Sequence, residues 1–147
     1  MRTSAQWIAE AVSGRLVGGD VEVTGSVVSD SREAQPGSLY VARRGENADG
    51  HAFVAGAVER GAVAVIVERE VDEAVAQIVV ADSTEALGAL ARAHVEALRA
   101  AGALDVIAMT GSVGKTTTKD LLAQIMSVDG PTVAPKLSFN NEVGLPL

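Results

Sequence analysis

Apolar and polar positions along residues 1–102 follow two rhythms, one helical and one extended. Trp7, Ile8, Ala11 and Val12 recur at helical spacing. Thr3 and Gln6 stand before them with the spacing of a capping box, which predicts a short first helix ending before Gly14. Val21, Val23 and Val27 alternate with polar residues and predict strand over residues 21–29, with a turn at Gly25. After the turn signal Pro36-Gly37, Leu39–Ala42 reads as a short strand, and a polar loop runs from Arg43 to Gly50. Residues 53–60 fit a helix closed by Gly61 at the position that favours positive φ. Ala62–Val67 and Ile78–Val80 are continuous apolar runs, the pattern of strands covered on both faces. Asp82, with Glu85 three residues on, caps a long helix whose apolar face is Leu87, Leu90, Ala91, His94 and Leu98, ending at Gly102. Helices alternating with buried strands predict an α/β domain over residues 1–102.

The same reading predicts a second unit over residues 103–147. Val106–Met109 reads as a buried strand, residues 110–114 as a sharp loop, and residues 115–126 as a helix with Leu121, Leu122 and Ile125 on one side. Thr132–Ala134 reads as a further extended segment. So short a stretch buries too little surface to enclose a parallel-sheet core, so the sequence is expected to stop inside its second domain.

Composition narrows the function classes. The formal net charge of -7 argues against general affinity for nucleic acid or anionic membrane. No Cys is present, which excludes a disulfide framework and a thiolate metal site. No apolar run approaches the ~18 residues of a membrane span, and the N-terminus lacks a signal-peptide pattern. A cytoplasmic protein without membrane insertion is the expectation.

The chemistry concentrates at Thr110-Gly111-Ser112-Val113-Gly114-Lys115-Thr116-Thr117-Thr118-Lys119. Holding a phosphate takes successive N–H groups in one concavity, a helix N-terminus behind them and close backbone approach. Gly111 and Gly114 permit that backbone, and Ser112 and Val113 complete the loop. Lys115 supplies an ammonium for the β- and γ-phosphates, and Thr116 a hydroxyl for Mg²⁺. The longer Walker A pattern wants Gly where Met109 stands, so this is the shorter Gly-x-x-Gly-Lys-Thr form. The competing reading is a strand-to-helix turn with an exposed Lys.

This loop resembles the ATP-binding loop of the Mur ligases, which build the peptide stem of peptidoglycan. Ser29-Asp30-Ser31-Arg32, Pro36-Gly37-Ser38-Leu39-Tyr40-Val41-Ala42, Gly45 and Asp49-Gly50-His51-x-Phe53 resemble, in order, the family's N-terminal uridine-nucleotide domain. Phe139-Asn140-Asn141-Glu142-Val143-Gly144-Leu145-Pro146-Leu147 is similar to the branch that couples D-alanyl-D-alanine to UDP-N-acetylmuramoyl-tripeptide. Three positions depart from the family pattern: Val113 and Ser138, each where Asn is common, and Arg43, read as a solvent-facing difference.

The resemblance implies an N-terminal uridine-nucleotide-binding domain over 1–102, then the start of a P-loop ATPase-type central domain over 103–147. It implies an ATP- and Mg²⁺-dependent ligase, monomeric, that makes an acyl phosphate on the tripeptide, which the dipeptide amine then attacks with loss of phosphate. Lys115 and Thr116 would spread γ-phosphoryl charge, with Thr117 assisting. Ser31 and Arg32 would meet the uridine diphosphate, and Asn140 and Asn141 the rest of the substrate. The 147 residues alone are expected to be inactive. For Ser31 and Arg32 a local turn with an ion pair stays open, as does a turn for Asn140 and Asn141. His51 reads as a packed or capping residue, His94 as structural, and Glu68–Glu73 as solvated surface. Three other functions stay open: the sister ligase adding the third stem residue, a UDP-sugar module with an idle ATP loop, and an unrelated P-loop kinase or GTPase.

Overall fold

A computed structural model describes residues 2–45 and 48–135. Its elements are β1 (Thr3–Ser4), α1 (Ala5–Ala11), β2 (Arg15–Val17), β3 (Glu22–Val23), β4 (Val27–Val28), β5 (Leu39–Val41), α2 (Val54–Glu59), β6 (Ala64–Val67), β7 (Ala76–Val79), α3 (Ser83–Ala100) and α4 (Lys115–Met126). One sheet runs in spatial order β2, β7, β6, β5, β4. The four strands from β4 to β7 are parallel, and β2 pairs antiparallel with β7. The expected α/β class is what folds, and its sheet is largely parallel.

Both faces of this sheet are covered, which fits the largely apolar character of its central strands. Leu39, Val41, Ala64, Ile66, Ala76 and Ile78 face a core completed by Ile8 of α1 and by Leu87 and Leu90 of α3. Tyr40, Val65 and Val67 point the other way, onto Val54 and Ala57 of α2. Burying one such Leu or Ile contributes roughly 1.5–3 kcal/mol, so α1 and α3 are held mainly by these contacts. The buried Gln77 is satisfied locally: its Oε1 accepts from Val71 N–H (2.9 Å) and its Nε2 donates to Val71 O (2.8 Å). It thereby ties down the β6–β7 connection.

The long helix starts as expected, with the Asp82 carboxylate accepting from Thr84 and Glu85 N–H. Gly61 takes a φ of +105° at the end of α2.

Several local expectations are corrected. The cap of α1 is Ser4, which accepts from Trp7 N–H at 3.1 Å; Thr3 instead pairs with Val23 in a two-stranded ribbon. Residues 21–29 split into β3 and β4, which belong to different sheets, because the chain turns at Gly25 against Gly37. Arg15–Val17 is a strand that the apolar pattern does not announce. Val106–Met109 is not a strand: Val106 and Ile107 are each 56% exposed, and no strand lies beside them among the described residues. Helix α4 forms as expected, yet none of its residues is buried, and Leu121 and Ile125 are exposed. Thr132–Ala134 is not strand either, and Val133 is fully open.

Candidate functional site

Parallel β4, β5, β6 and β7 all point their carboxyl ends to the same side of the sheet. In open α/β sheets that end is where ligands bind. Described parts of four chain segments converge there: Ser29–Arg32 after β4, Ala42–Gly45 and Ala48–Phe53 after β5, Glu68–Glu70 after β6, and Val80–Thr84 leading into α3.

Ser31 and Arg32 lie in a single 3-10 turn, Ser31–Glu33, capped by Asp30. Asp30 accepts from Arg32 N–H and Nε–H, both at 2.9 Å, and pairs with Nη2 at 2.5 Å. These hydrogen bonds hold the Asp30 carboxyl down at about 2 and push the Arg32 guanidinium up. The local turn and the ion pair are therefore both present. The guanidinium stays exposed, with the pair at the surface where it can exchange partners.

The second motif packs against the first through Tyr40. The Tyr40 hydroxyl, buried, donates to Gly50 O at 2.9 Å. Burial, then the nearby charges of Asp30 and Asp49, push its ionisation up. Gly50 sits so close to Arg43 that a Cβ would lie 2.7 Å from Arg43 N and O, which no other residue tolerates. His51 follows, its side chain 1% exposed, with Nδ1 2.6 Å from Asp49 Oδ1 and Nε2 accepting from Glu68 N–H at 2.8 Å. His51 is the packed residue expected, and Asp49 caps its turn. Asp49 Oδ2 also accepts from Arg69 at 3.0 Å. The backbone and side-chain bonds of His51, then Arg69, hold the Asp49 carboxyl well below the usual range.

Two readings change here. Arg43 is half-buried and donates from Nε to Thr84 Oγ1 at 3.1 Å, so it is not simply solvent-facing. Glu68 is not solvated surface: its side chain is 16% exposed, accepts from Ser83 N–H and Oγ, and pairs with Arg44 at 3.1 Å. Arg32, Arg43, Arg44 and Arg69 thus gather at one end of a sheet in a chain of net charge -7. The spacing along the chain gave no sign of it, because the four come from three strands brought side by side only by register.

The phosphate-type loop is built differently. Gly114, at φ +82°, is the N-cap of α4 and offers no side-chain cap to the first N–H groups of the helix. Such a terminus suits an anion, through both the orphan donors and the helix dipole. The Lys115 ammonium folds back to donate to Gly111 O, across the mouth of the loop. Ser112, Val113, Thr116 and Thr117 are exposed around it. This fits a polyphosphate. No cluster of three or more acidic or His side chains occurs among the described residues. A magnesium ion here would rely on Thr116 and phosphate oxygens, a donor set that Mg²⁺ accepts because it keeps several waters. Asn140 and Asn141 lie outside the described residues. No helix among those described is long and apolar enough to cross a membrane.

A family model described as "Mur ligase family, catalytic domain" matches residues 24–110, more than half of the chain. Among curated relatives, the UDP-N-acetylmuramoyl-tripeptide–D-alanyl-D-alanine ligase of Mycobacterium leprae is 40% identical, covering 95% of this chain and 32% of that protein. The Escherichia coli protein of that name is 36% identical over 95% of this chain and 30% of its own length. Among solved structures, MurF from Acinetobacter baumannii superposes with a TM-score of 0.87 and 39% identity, over 99% of this chain and 32% of that one. MurF ligase from Thermotoga maritima, in complex with ADP, gives a TM-score of 0.68 and 35% identity over 84% and 28%. The chain spans about a third of the length of the curated relatives it matches. On the family match, and on identities this high along nearly all of its residues, the chain belongs to the Mur ligase family.

Proposed function

We propose that this protein is an ATP-dependent ligase that joins D-alanyl-D-alanine to UDP-N-acetylmuramoyl-tripeptide in the cytoplasm, working as a monomer without membrane insertion. In this reading residues 1–102 form the uridine-nucleotide domain and residues 103–147 open the ATP-binding domain. The observation that carries it is one chain holding both an arginine-rich carboxyl sheet end and a Gly-Lys-Thr helix start, aligned over almost its whole length with MurF.

A carboxylate is a poor electrophile, so ATP supplies a leaving group. The terminal carboxylate oxygen of the tripeptide takes the γ-phosphoryl group and ADP departs. The dipeptide amine then attacks the carbonyl carbon, phosphate leaves, and the amine loses a proton. The protein's work is alignment and charge neutralisation. Backbone N–H groups of Gly111, Ser112, Val113 and Gly114 cradle the phosphates, and Lys115 neutralises charge on the γ-group. Thr116 would hold Mg²⁺, with Thr117 assisting. Magnesium, when bound, spreads the charge of the β- and γ-oxygens. Ser31 and Arg32 receive the uridine diphosphate end, with Arg32 trading Asp30 for phosphate oxygens. Asn140 and Asn141 are assigned to the peptide or sugar part. In this reading residues 1–147 alone do not ligate.

The test is phosphate release and amide formation by the complete protein with each amine in turn. D-alanyl-D-alanine with the UDP-linked tripeptide should support turnover. A protein that instead couples a diamino acid or lysine to the UDP-linked dipeptide is the sister enzyme, and the proposal fails.

A further inference from the structure

His51 contacts nothing that the proposed chemistry uses, yet its side chain is buried and both ring nitrogens are engaged. The partners fix its state. Glu68 N–H can only donate, so Nε2 must carry the lone pair. The neutral ring then has its proton on Nδ1, where it donates to Asp49 Oδ1 at 2.6 Å.

The two partners lead directly to two of the arginines. Asp49 holds Arg69 through its other oxygen at 3.0 Å. Glu68, whose main chain His51 grips, holds Arg44 at 3.1 Å and the start of α3 through Ser83. Gly50, between Asp49 and His51, is bonded to Arg43 O (2.8 Å) and receives the Tyr40 hydroxyl, beside Asp30 and the Arg32 turn. One imidazole therefore joins the segments after β5 and β6, and the guanidinium positions follow from it. The charged and titratable groups around it are Asp49, Arg69, Glu68, Arg44 and Arg43, with Tyr40 and Asp30 behind.

We infer that His51 is a positioning residue for the nucleotide-binding end of the sheet, acting as a neutral Nδ1–H imidazole that sets Arg44 and Arg69. This rests on the functional reading above. An apolar residue of similar size removes both ring bonds: Glu68 N–H loses its acceptor, and Asp49 keeps only the residue-51 N–H and Arg69. Glutamine restores only the acceptor, because its carbonyl oxygen can reach Glu68 N–H.

Two measurements on the complete protein decide it. Long-range proton–nitrogen correlation of labelled histidine should show His51 with Nδ1 protonated and Nε2 bare; the opposite tautomer overturns the inference. In steady-state kinetics His51→Leu should raise KM for the UDP-linked tripeptide about tenfold, because the segments that carry Arg44 and Arg69 lose the ring that joins them. KM for ATP and kcat should move less than about twofold. His51→Gln should recover most of the loss. Were His51→Leu merely a destabilised fold, the active fraction would drop with every KM unchanged, and the inference falls. Its failure is separable from that of the functional reading: if the wild type does not use the UDP-linked peptide, both fall. If the wild type uses it and His51→Leu has the wild-type KM, only the role of His51 falls.

Discussion

Ala64–Val67 and Val106–Met109 are close in length and apolar character, and they end up in opposite surroundings. Ala64–Val67 lies between β5 and β7 with a helix layer on each face, and every one of its residues is fully buried. Val106, Ile107 and Met109 are open, with no strand beside them among the described residues. A continuous apolar run makes a segment able to be a buried strand, whereas neighbours supply the backbone partners that make it one. The two candidate sites inherit the contrast. The carboxyl end of the sheet is held by bonds joining the segments after β5 and β6 to the start of α3, whereas among the described residues the phosphate loop leads into a helix with no buried residue.

Truncating one residue in each run should separate the two segments most strongly. Ile66→Ala should lower the unfolding free energy of residues 1–147 by about 2–5 kcal/mol, the cost of a cavity in a packed core. Ile107→Ala should change it by no more than ~0.5 kcal/mol, as for an exposed position. Urea denaturation followed by circular dichroism measures both, and equal losses would mean that residues 106–109 are packed after all.

Function should divide the other way. Lys115→Ala in the complete protein should lower kcat by roughly 10²–10³-fold, the usual cost of removing one charge-stabilising group. The same change should leave the urea midpoint of residues 1–147 where it was, because Lys115 lies outside both core clusters. A kinetic loss accompanied by unfolding would contradict the division.

The helix starts offer a finer comparison. Asp82 caps α3 with its side chain, and α4 has no side-chain cap at Gly114. Asp82→Ala should therefore cost about 1 kcal/mol in the same denaturation assay.

The smallest effect concerns Asp30. Its carboxyl is held down at about 2 by the Arg32 hydrogen bonds. Because the folded value is depressed, the contribution to stability is complete above the unfolded value near 3.8 and is lost as pH falls towards 2. Carboxyl carbon shifts of Asp30 should titrate with that low midpoint, and Arg32→Ala should return it towards the ordinary value.

Most of the sheet was legible because its strands alternate toward two covered faces and its helices carry their own signals: Asp82 at the start of α3, and Gly61 after α2. Arg15–Val17 was not, since three residues beginning with an exposed Arg carry no period and acquire their meaning only by pairing with β7. The shift of the first cap from Thr3 to Ser4 reflects the ribbon that Thr3 forms with Val23, a contact invisible to local spacing. At the site, the Asp30–Arg32 turn is local and could be read. The His51–Glu68 bond and the Glu68–Ser83 bond depend on the register of β5 with β6 and of β6 with β7. For that reason Glu68 looked like solvated surface, and Arg44 and Arg69 went unmarked.

On the proposed function, two ligand sites lie on separate parts of this chain. Calorimetric titration of the complete protein with the UDP-linked tripeptide and with ADP tests it most directly, using Arg32→Ala and Lys115→Ala. Arg32→Ala should weaken the UDP-linked tripeptide about tenfold, as loss of one charge-assisted contact does, and leave ADP binding unchanged. Lys115→Ala should do the reverse. Failure of the UDP-linked tripeptide to bind the wild-type protein, or one variant weakening both ligands alike, would contradict the account.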